Sequence, residues 1–379
     1  MADGKKPSSR EEYGSQTQRH RRIPAPRRDA KADVGKTQVH APVRGKTVAH
    51  PRVTPPPPPL PEPPPFVPPP AQQRSRPKRR KRRRGLFARL VRSAVGLVSL
   101  TILGVGLAAV LYTVFPPPRM NVLLLGVDAR PGQGYVTRTD TVILVTVDPA
   151  QPYVGMLSIP RDLYVDVPGY GYRRINTAHV YGENEATGRG MELAAQTVAN
   201  NFGVPVHRTL RMNFQGFVAI VDAAGGVDID VPARIYDGAY PTENYGTMVI
   251  TFEPGLQHMD GERALQYART RHSSNDFIRA ARQQEVMVAL GRRLSNPLNW
   301  WRLPAVYAAF ASHVETDLTI FDAALLAPAV VQVGPGNFER EVLSRENSMV
   351  VNANVTGDPY LLAPNWPQVN PLIDEMFRR

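Results

Sequence analysis

Three short apolar runs near the middle of the chain predict a β-meander. Val122 to Val127, Val142 to Val147 and Val154 to Ile159 are rich in β-branched residues, and segments with Pro, Gly and Asp separate them. Runs of this length and composition, with turn residues between them, are typical of strands. If each connection folds back antiparallel, the first strand's end, the second strand's start and the third strand's end meet at one edge of the sheet.

The chain continues with alternating helix and strand patterns. Gly190 to Phe202 has helical apolar spacing closed by a glycine, and Gln215 to Ala224 is an apolar helix followed by two glycines. Strand patterns return at Val206 to Phe214 and at Val227 to Val231. Strands alternating with helices favour an α/β layer architecture, and the meander makes its sheet mixed. We expect a single domain over residues 116–379.

A run of 23 residues without charge, Ser93 to Phe115, predicts a transmembrane helix. At ~1.5 Å per residue, such a helix crosses a bilayer core of about 30 Å. The basic run Arg74 to Arg84 and the juxtamembrane segment 85–92 precede it. The positive-inside rule therefore predicts a single-pass protein of the cell membrane with a cytoplasmic N-terminus and an extracytoplasmic C-terminal domain. The basic segment should also attract anionic membrane lipids.

Composition and charge differ between the two sides of that apolar run. Residues 1–84 are polar, and Thr54 to Pro70 is mostly proline, which predicts a disordered cytoplasmic tail. Residues 1–92 hold 24 basic and six acidic residues, a net charge of +18, whereas the remainder sums to −5, so the positive total of +13 comes wholly from the N-terminal part. Because the part long enough to fold is mildly acidic, we expect no nucleic acid partner.

The predicted edge of the meander gathers charged side chains of both signs. Three carboxylates and three guanidinium groups belong to it: Asp128, Asp140, Asp162, Arg130, Arg138 and Arg161. Mg²⁺ prefers carboxylate oxygens and keeps several waters, whereas Arg offers phosphate a planar pair of donors. The set suits a divalent cation that holds a phosphate ester. The alternative is a group of solvated surface ion pairs.

A second basic cluster lies between Asp260 and Val286. Asp260 is suited to cap a short helix, and Ser274 could cap the next one. The cluster consists of Arg269, Arg271, Arg279, Arg282 and Gln283. The last three are spaced to share one face near a helix N-terminus, where the dipole favours an anion. The alternative is a solvated helix face paired with Asp276 and Glu285.

Several enzyme classes lack their sequence signatures. The chain has no cysteine, which excludes disulfides, a thiolate nucleophile and a cysteine-ligated zinc site. The motifs HExxH, GxxxxGK[ST] and G-x-S-x-G are absent, so metalloprotease, P-loop and α/β-hydrolase functions have no support. A glycosidase is disfavoured because arginines this dense would lower the carboxyl pKa that a general acid needs raised.

The chain beyond Asn296 carries little further information on function. Trp300 and Trp301 are expected in the hydrophobic core, and contact with the membrane surface is the alternative.

Seven sequence blocks resemble the LytR-CpsA-Psr family in order and spacing: NVLLLGVD, RTDTVILVTVD, GMLSIPRDLYVDVPGYG, RINTAHVYG, FVAIVDAAGGVDIDVP, GLQHMDGERALQYARTR and DFIRAARQQ. The resemblance implies a three-layer α-β-α fold with a central mixed sheet. It also implies a membrane-anchored enzyme of bacterial envelope assembly, a glycopolymer phosphotransferase dependent on Mg²⁺ or Mn²⁺. Such an enzyme moves a glycan from a polyprenyl-diphosphate carrier onto peptidoglycan through a phosphodiester bond.

By position, the resemblance implies roles for individual residues. Asp128 and Asp140 match the metal-associated carboxylates. The positions that match diphosphate binding are Arg138, Arg161, Arg269, Arg271, Arg279 and Gln283, and Asp140, Arg138 and Arg161 match catalytic positions. The base that deprotonates the acceptor hydroxyl stays open among Asp128, Asp140 and Asp162.

Two other functions remain compatible with these residues. A polyprenyl-diphosphate hydrolase would use the same site with water in place of the sugar hydroxyl. A non-catalytic membrane protein that binds envelope polymer or regulates a partner is the other alternative.

Overall fold

The structure, a computed structural model, describes residues 84–129, 134–242, 246–270, 275–353, 355, 358 and 360–378. Residues 1–83 of the predicted tail 1–84 lie outside this range, as do Arg130, Arg271 and Ser274. The described helices are α1 (Arg84–Val114), α2 (Thr177–Glu185), α3 (Arg189–Phe202), α4 (Phe214–Ala224), α5 (Gly261–Arg269), α6 (Asp276–Ser295), α7 (Leu303–His313), α8 (Ile320–Val333) and α9 (Trp366–Phe377), with 3₁₀ turns at Pro297–Arg302 and Pro335–Asn337.

The described strands belong to one large sheet and four pairs. They are β1 (Met120–Val127), β2 (Thr139–Asp148), β3 (Tyr153–Ser158), β4 (Tyr164–Val167), β5 (Gly171–Arg174), β6 (Arg208–Asn213), β7 (Val227–Val231), β8 (Ile235–Pro241), β9 (Thr247–Phe252), β10 (Gly255–Met259), β11 (Val314–Thr316), β12 (Glu339–Val342), β13 (Val350–Asn352) and β14 (Leu362–Pro364).

The apolar run near residue 100 forms α1, whose segment Ala88–Val114 is long and apolar enough to cross a membrane. The helix begins before the predicted segment 93–115, because residues 85–92 are mostly good helix formers. Arg89 and Arg92 therefore project from the same helix.

The central sheet has the strand order β11-β6-β1-β2-β3-β12. β1, β2 and β3 form the predicted antiparallel meander, with Leu124 opposite Ile143 and Leu144 opposite Leu157. β6 pairs with β1 in parallel, and β12 pairs with β3 in parallel. The sheet is therefore mixed, as predicted.

Helices cover both faces of the central sheet. On one face, Leu123, Leu144 and Leu157 pack against α3 and α9. On the other face, Ile143 and Met156 pack against Val288 of α6, and Val147 and Val154 pack against α8. The three-layer α-β-α architecture expected from the resemblance is confirmed.

A smaller apolar cluster lies beside the main sheet. The strand pairs β7–β10 and β8–β9 pack there against α4, α5 and α6. Phe252 and Tyr267 are among its buried residues, with ring centroids 5.4 Å apart at 75°. This cluster fixes α5, which carries Arg269, against the neighbouring helices.

Side-chain caps set the helix boundaries near the predicted site. The expected cap Asp260 is confirmed, because its carboxylate accepts a hydrogen bond from the Arg263 backbone. The cap of α6 is Asn275, whose side chain accepts from the Ile278 backbone, so the prediction of Ser274 was wrong by one position. Asn213 likewise caps α4. Phe214 therefore begins a helix and does not end a strand.

A buried ionic network ties the segment before β2 to the sheet. Arg211 of β6 is fully buried and pairs with Glu183 at 2.6 Å and with Glu315. Its Nη1 also lies 2.8 Å from Nε2 of His179, whose Nδ1 lies 2.8 Å from the carbonyl of Thr137. Since Arg211 can only donate and the carbonyl can only accept, His179 is neutral with its proton on Nδ1.

The expectation that Trp300 and Trp301 lie in the core was wrong. Their side chains are 52% and 71% exposed, respectively. They belong to the 3₁₀ turn Pro297–Arg302 after α6, in which no residue is buried.

Candidate active site

Four neighbouring strands present their site residues at one edge of the central sheet. Asn213 ends β6 opposite Val127 at the end of β1, and Asp128 follows directly. The adjacent strand β2 begins at the same edge with Thr139 and Asp140, and β3 ends there shortly before Arg161. At about 4.8 Å between strands, the row from β6 to β3 spans about 14 Å. We call this row the charged edge.

Asp140 occupies a β-bulge between β1 and β2. Gly126 pairs with Thr141 and Val127 pairs with Thr139, so Asp140 is the extra residue. A bulge re-aims a side chain and leaves it outside the ladder. Gly126 allows the close approach, because a Cβ there would lie 2.9 Å from Cβ of Thr141. The local register thus turns the Asp140 carboxylate toward the rim.

Arg161 lies among three carboxylates at the charged edge. Its Nη1 donates to Asp140 Oδ1 at 2.6 Å, and its Nε lies 3.4 Å from Asp276 Oδ2 and 3.5 Å from Asp162 Oδ2. Burial alone would lower the pKa of Arg161, but the hydrogen bond to Asp140 and the nearby carboxylates raise it, and the net shift is upward. The guanidinium is therefore a permanent cation at this position.

The first turn of α6 supplies a second buried cation. Arg279 lies with its Nη1 3.1 Å from Asp276 Oδ1 and its Nη2 3.5 Å from the carbonyl of Asp140. Gln284 holds the helix to the sheet, since its side-chain amide donates to Ser158 Oγ and to the carbonyl of Glu341, both at 2.9 Å. Arg279 is thus held by its own contacts with Asp276 and Asp140 and by the attachment of α6 to the sheet at Gln284.

A cleft of about 190 Å³ opens between the charged edge and α6. Its lining includes Asp140, Ser158, Arg161, Arg279, Gln283 and Tyr360. The predicted shared face of α6 is only partly correct. Arg279 and Gln283 line the cleft, whereas Arg282 turns away to donate to the carbonyl of Thr270 at 3.3 Å. Burial lowers the pKa of Arg282.

Arg174 and Asp358 extend this charge network and were missed in the sequence. Arg174 Nη1 lies 3.4 Å from Asp162 Oδ1, and its Nη2 pairs with Asp358. The block RINTAHVYG begins with Arg174, so a basic residue near the site was visible. Asp358 lies in the C-terminal part of the chain, where no sequence motif marked it as a site residue.

The second basic cluster meets the charged edge at its β6 end. The Arg269 guanidinium stacks 3.9 Å from the ring centroid of Phe214, the first residue of α4, and lies 5.6 Å from the ring of Tyr240. Phe214 directly follows Asn213, whose side chain lies 3.5 Å from the carbonyl of Ala129. Arg269 therefore flanks the Asp128 side of the edge, while Arg161 and Arg279 flank the Asp140 side.

The remaining predicted residues differ in setting. Asp128 is half-buried directly after β1, and Arg138 is exposed directly before β2. Arg271 lies outside the described residues, so its predicted role is neither supported nor contradicted.

The donor set at the charged edge fits a hard divalent cation. Asp128 directly follows β1, and Asp140 is the bulge residue of the adjacent strand β2. Within the described ranges, no group of three or more His, Asp or Glu side chains forms a metal-binding cluster. Mg²⁺ commonly binds through one or two carboxylates and fills its shell with water and substrate phosphates. Two carboxylates beside the arginines of the cleft match that habit.

Comparison with known proteins shows several relatives. The LytR_cpsA_psr family matches residues 117–362. The chain is 34% identical over 201 residues to the polyisoprenyl-teichoic acid--peptidoglycan teichoic acid transferase TagU of Oceanobacillus iheyensis, covering 52% of this chain and 59% of that protein. The chain thus spans about six-tenths of the length of this relative.

Solved structures show the same fold. The crystal structure of TagV from Bacillus subtilis matches with a TM-score of 0.56 at 26% identity, over 69% of this chain and 98% of that one. The structure of the LytR-CPS2A-psr family protein TagT from the same organism, with bound octaprenyl pyrophosphate lipid, matches with a TM-score of 0.51 at 26% identity, over 69% and 91%.

Proposed function

The chain belongs to the LytR-CpsA-Psr family, and from this membership and its charged edge we propose that it transfers a glycopolymer from a polyprenyl-diphosphate carrier to peptidoglycan. The new bond is a phosphodiester, and polyprenyl phosphate leaves. TagU is named as a transferase of this kind, and TagT binds a prenyl pyrophosphate lipid. Both relatives support extending this chemistry to the present chain.

The observation that carries the proposal is the position of Arg161 and Arg279 in the cleft. Before any substrate binds, the carboxylates of Asp140 and Asp276 hold the Arg161 guanidinium, and the Asp276 carboxylate and the Asp140 carbonyl hold that of Arg279. Preorganised donors need no reorganisation when charge develops on a phosphate, and this is the largest single source of stabilisation in many enzymes. Arg161 and Arg279 both line the cleft, so a diphosphate bound there would meet their donors.

Different residues of the charged edge have different roles in the proposed reaction. The acceptor oxygen attacks the phosphorus that carries the glycan, and the bond from that phosphorus to the polyprenyl phosphate breaks. Arg161 and Arg279 bind the equatorial and leaving oxygens, and Arg269 approaches from the β6 side. The acceptor proton passes to a carboxylate of the edge, for which Asp128, Asp140 and Asp162 are the candidates.

Asp128 and Asp140 are the residues that would hold Mg²⁺ or Mn²⁺. The bound cation would supply positive charge against the developing charge of the diphosphate. Asp140 links this role to phosphate binding, because its other contact is the Arg161 guanidinium.

The proposed setting of the reaction is the outer face of the cell membrane. α1 is the candidate membrane anchor, and the basic residues before it favour a cytoplasmic N-terminus. The catalytic domain is then extracytoplasmic, where both peptidoglycan and lipid-linked glycan are accessible.

The test uses the full-length protein in nanodiscs with Mg²⁺, a synthetic polyprenyl-diphosphate-linked saccharide and peptidoglycan fragments. Mass spectrometry should detect a phosphodiester-linked conjugate together with polyprenyl phosphate. Free saccharide phosphate without conjugate would replace the transferase with a hydrolase. Binding of the lipid without any product would contradict both enzymatic functions and favour a polymer-binding role.

A further inference from the structure

An exposed aromatic surface lies on the 3₁₀ turn after α6 and on the outer side of α7. It consists of Leu298, Trp300, Trp301, Leu303 and Tyr307, which are between 40% and 81% exposed. α7 has no buried residue, and from Leu303 to Ser312 it has no charged one. Large apolar side chains clustered at the surface mark an interaction site when they are contiguous in this way.

The stretch of sequence that carries the aromatic surface has arginine as its only acidic or basic residue apart from His313, although Arg293 lies 3.8 Å from Asp228 of β7. No acidic residue occurs between Glu285 and Glu315, whereas Arg292, Arg293 and Arg302 fall in this interval. The Arg302 guanidinium stacks 4.4 Å from the ring of Trp301. A domain whose net charge is negative thus presents arginine beside tryptophan at one place. Anionic lipid head groups over an apolar layer are the surface that this combination fits.

The 3₁₀ turn that carries Trp300 and Trp301 follows the end of α6 away from the charged edge, and α7 then returns toward that edge, where Val314 pairs with Met212. α6 starts at the charged edge with Arg279 and extends for 20 residues, or about 30 Å. Near its other end, a Cβ on Gly291 would lie 3.2 Å from Pro335, and Phe338 just beyond packs in the same cluster as Met120. Met120 begins β1 directly after the anchor linker.

The anchor holds this end of the domain close to the bilayer. Only five residues, 115–119, connect α1 with β1, and three of them are proline. Such a linker spans at most about 20 Å even when fully extended. The hydroxyl of Tyr112 near the end of α1 also donates to the carbonyl of Leu325 in α8 at 3.0 Å. Exposed Ile320 and Phe321 lie at the start of the same helix α8.

We propose that the aromatic surface inserts into the interfacial layer of the same bilayer that α1 spans and docks the domain on it. This proposal rests on α1 being a membrane anchor, but it does not depend on the transferase chemistry. Trp and Tyr prefer the boundary between head groups and acyl chains, and the arginines pair with lipid phosphates. The domain then stands on the membrane with its charged edge at the far end of α6.

The three tryptophans of the chain allow a direct test. The full-length protein is reconstituted in vesicles of phosphatidylcholine and phosphatidylglycerol, with or without bromine on the acyl chains. Trp366→Phe leaves only Trp300 and Trp301 as emitters. The matched control Trp300→Phe/Trp301→Phe leaves only Trp366, which packs on Phe202 at 5.6 Å within the domain core. Flotation of the vesicles reports insertion of α1 separately.

The proposal expects brominated lipid to quench Trp366→Phe and to leave the double variant unchanged, with stronger quenching in anionic vesicles. Floating protein whose Trp300 and Trp301 are quenched by aqueous iodide and not by bromine would overturn the docking surface and retain the anchor. Cross-linking between copies through this surface would assign it to self-association instead. Protein that fails to float would overturn the anchor and the docking together, whatever the transferase assay gives.

Discussion

Arg161 donates to Asp140 across 2.6 Å, and neither residue belongs to the hydrogen-bond ladder of the sheet. Asp140 is the extra residue of a bulge, and Arg161 lies three residues beyond the end of β3. The two residues are therefore attached to the sheet but take no part in the hydrogen bonds between its strands. Substitutions here should affect chemistry far more than folding.

Asp140→Asn should remove transfer while the domain stays folded. The amide keeps the shape of the carboxylate but loses the charge that faces Arg161 and that would hold the cation. We expect the transfer rate to fall by about 10²–10³-fold, the typical cost of one essential electrostatic contact. The free energy of unfolding should change by less than about 1 kcal/mol, since the Asp140 side chain is partly exposed. Product formation and denaturant unfolding measure the two effects.

Asp166→Asn is the matched control, because Asp166 is exposed on β4 of the same domain. It should retain full transfer. A folded Asp140→Asn protein with the activity of this control would remove Asp140 from the site.

Arg279→Lys should weaken binding of polyprenyl diphosphate. Lysine keeps the charge but cannot offer the planar pair of donors that phosphate accepts. Loss of one charge-assisted hydrogen bond is worth about 1.5–3 kcal/mol, or roughly 10–100-fold in Kd. Isothermal titration of the reconstituted protein with the lipid measures this. Arg173→Lys, exposed on β5, should bind as the wild type does. Equal affinity of the two variants would exclude Arg279 from diphosphate binding.

Glu183→Gln should strongly destabilise the domain. Arg211 is fully buried and Glu183 is 3% exposed, so the substitution leaves a cation without full compensation in the interior. Breaking a buried pair by removing one charge costs about 3–5 kcal/mol. Chemical denaturation should show this, whereas Glu185→Gln, two residues away and exposed beside Arg189, should change stability by less than about 0.5 kcal/mol. Similar losses of stability in both variants would mean that the buried pair of Arg211 and Glu183 does not specifically stabilise the fold.

The folded domain should lose stability as the pH falls below about 6.5, the ordinary pKa of histidine. Burial and then the nearby Arg211 lower the pKa of His179, although its contact with Thr137 opposes this. The unfolded chain therefore binds a proton that folded His179 refuses, and stability declines with acidification. His179→Gln should flatten the dependence of Tm on pH between about 5.5 and 7.5.

His207 provides an internal reference for that measurement. Burial lowers its pKa too, and it is present in both proteins. The difference between the two pH profiles therefore isolates His179. Parallel profiles would assign the acid sensitivity to other groups.

The orientation of the anchor predicts a protease pattern. Cells that produce the full chain with an N-terminal tag should lose the C-terminal domain when protease is added outside, and the tag should stay intact. The reason is the basic cluster on the N-terminal side of α1. A digested tag with a protected domain would reverse the topology.

The local sequence predicted the strands of the meander because each apolar run is bounded by its own turn residues. It also predicted that Asp140 and Arg161 share an edge, since this follows from the antiparallel order alone. The bulge at Asp140 was not predictable, because it depends on how Gly126 and Thr141 approach each other across the sheet.

Long-range packing explains what the sequence pattern missed. Arg282 has the same helical spacing as Arg279 and Gln283, but the neighbouring α5 draws it toward Thr270. Asp358 joins the site from a segment about two hundred residues after Asp162. Tryptophan is often found in protein cores, so residue type alone favoured burial of Trp300 and Trp301. Their exposure follows from the path of the chain in the 3₁₀ turn after α6.

If the domain transfers glycopolymer and docks on the bilayer as proposed, the five-residue linker after α1 would limit where in the cell wall the reaction takes place. The charged edge would then stand above the bilayer at a height of about the length of α6. Acceptor strands beyond that height are out of reach, whatever their chemistry. Glycopolymer would then be attached only in the layer of wall nearest the membrane.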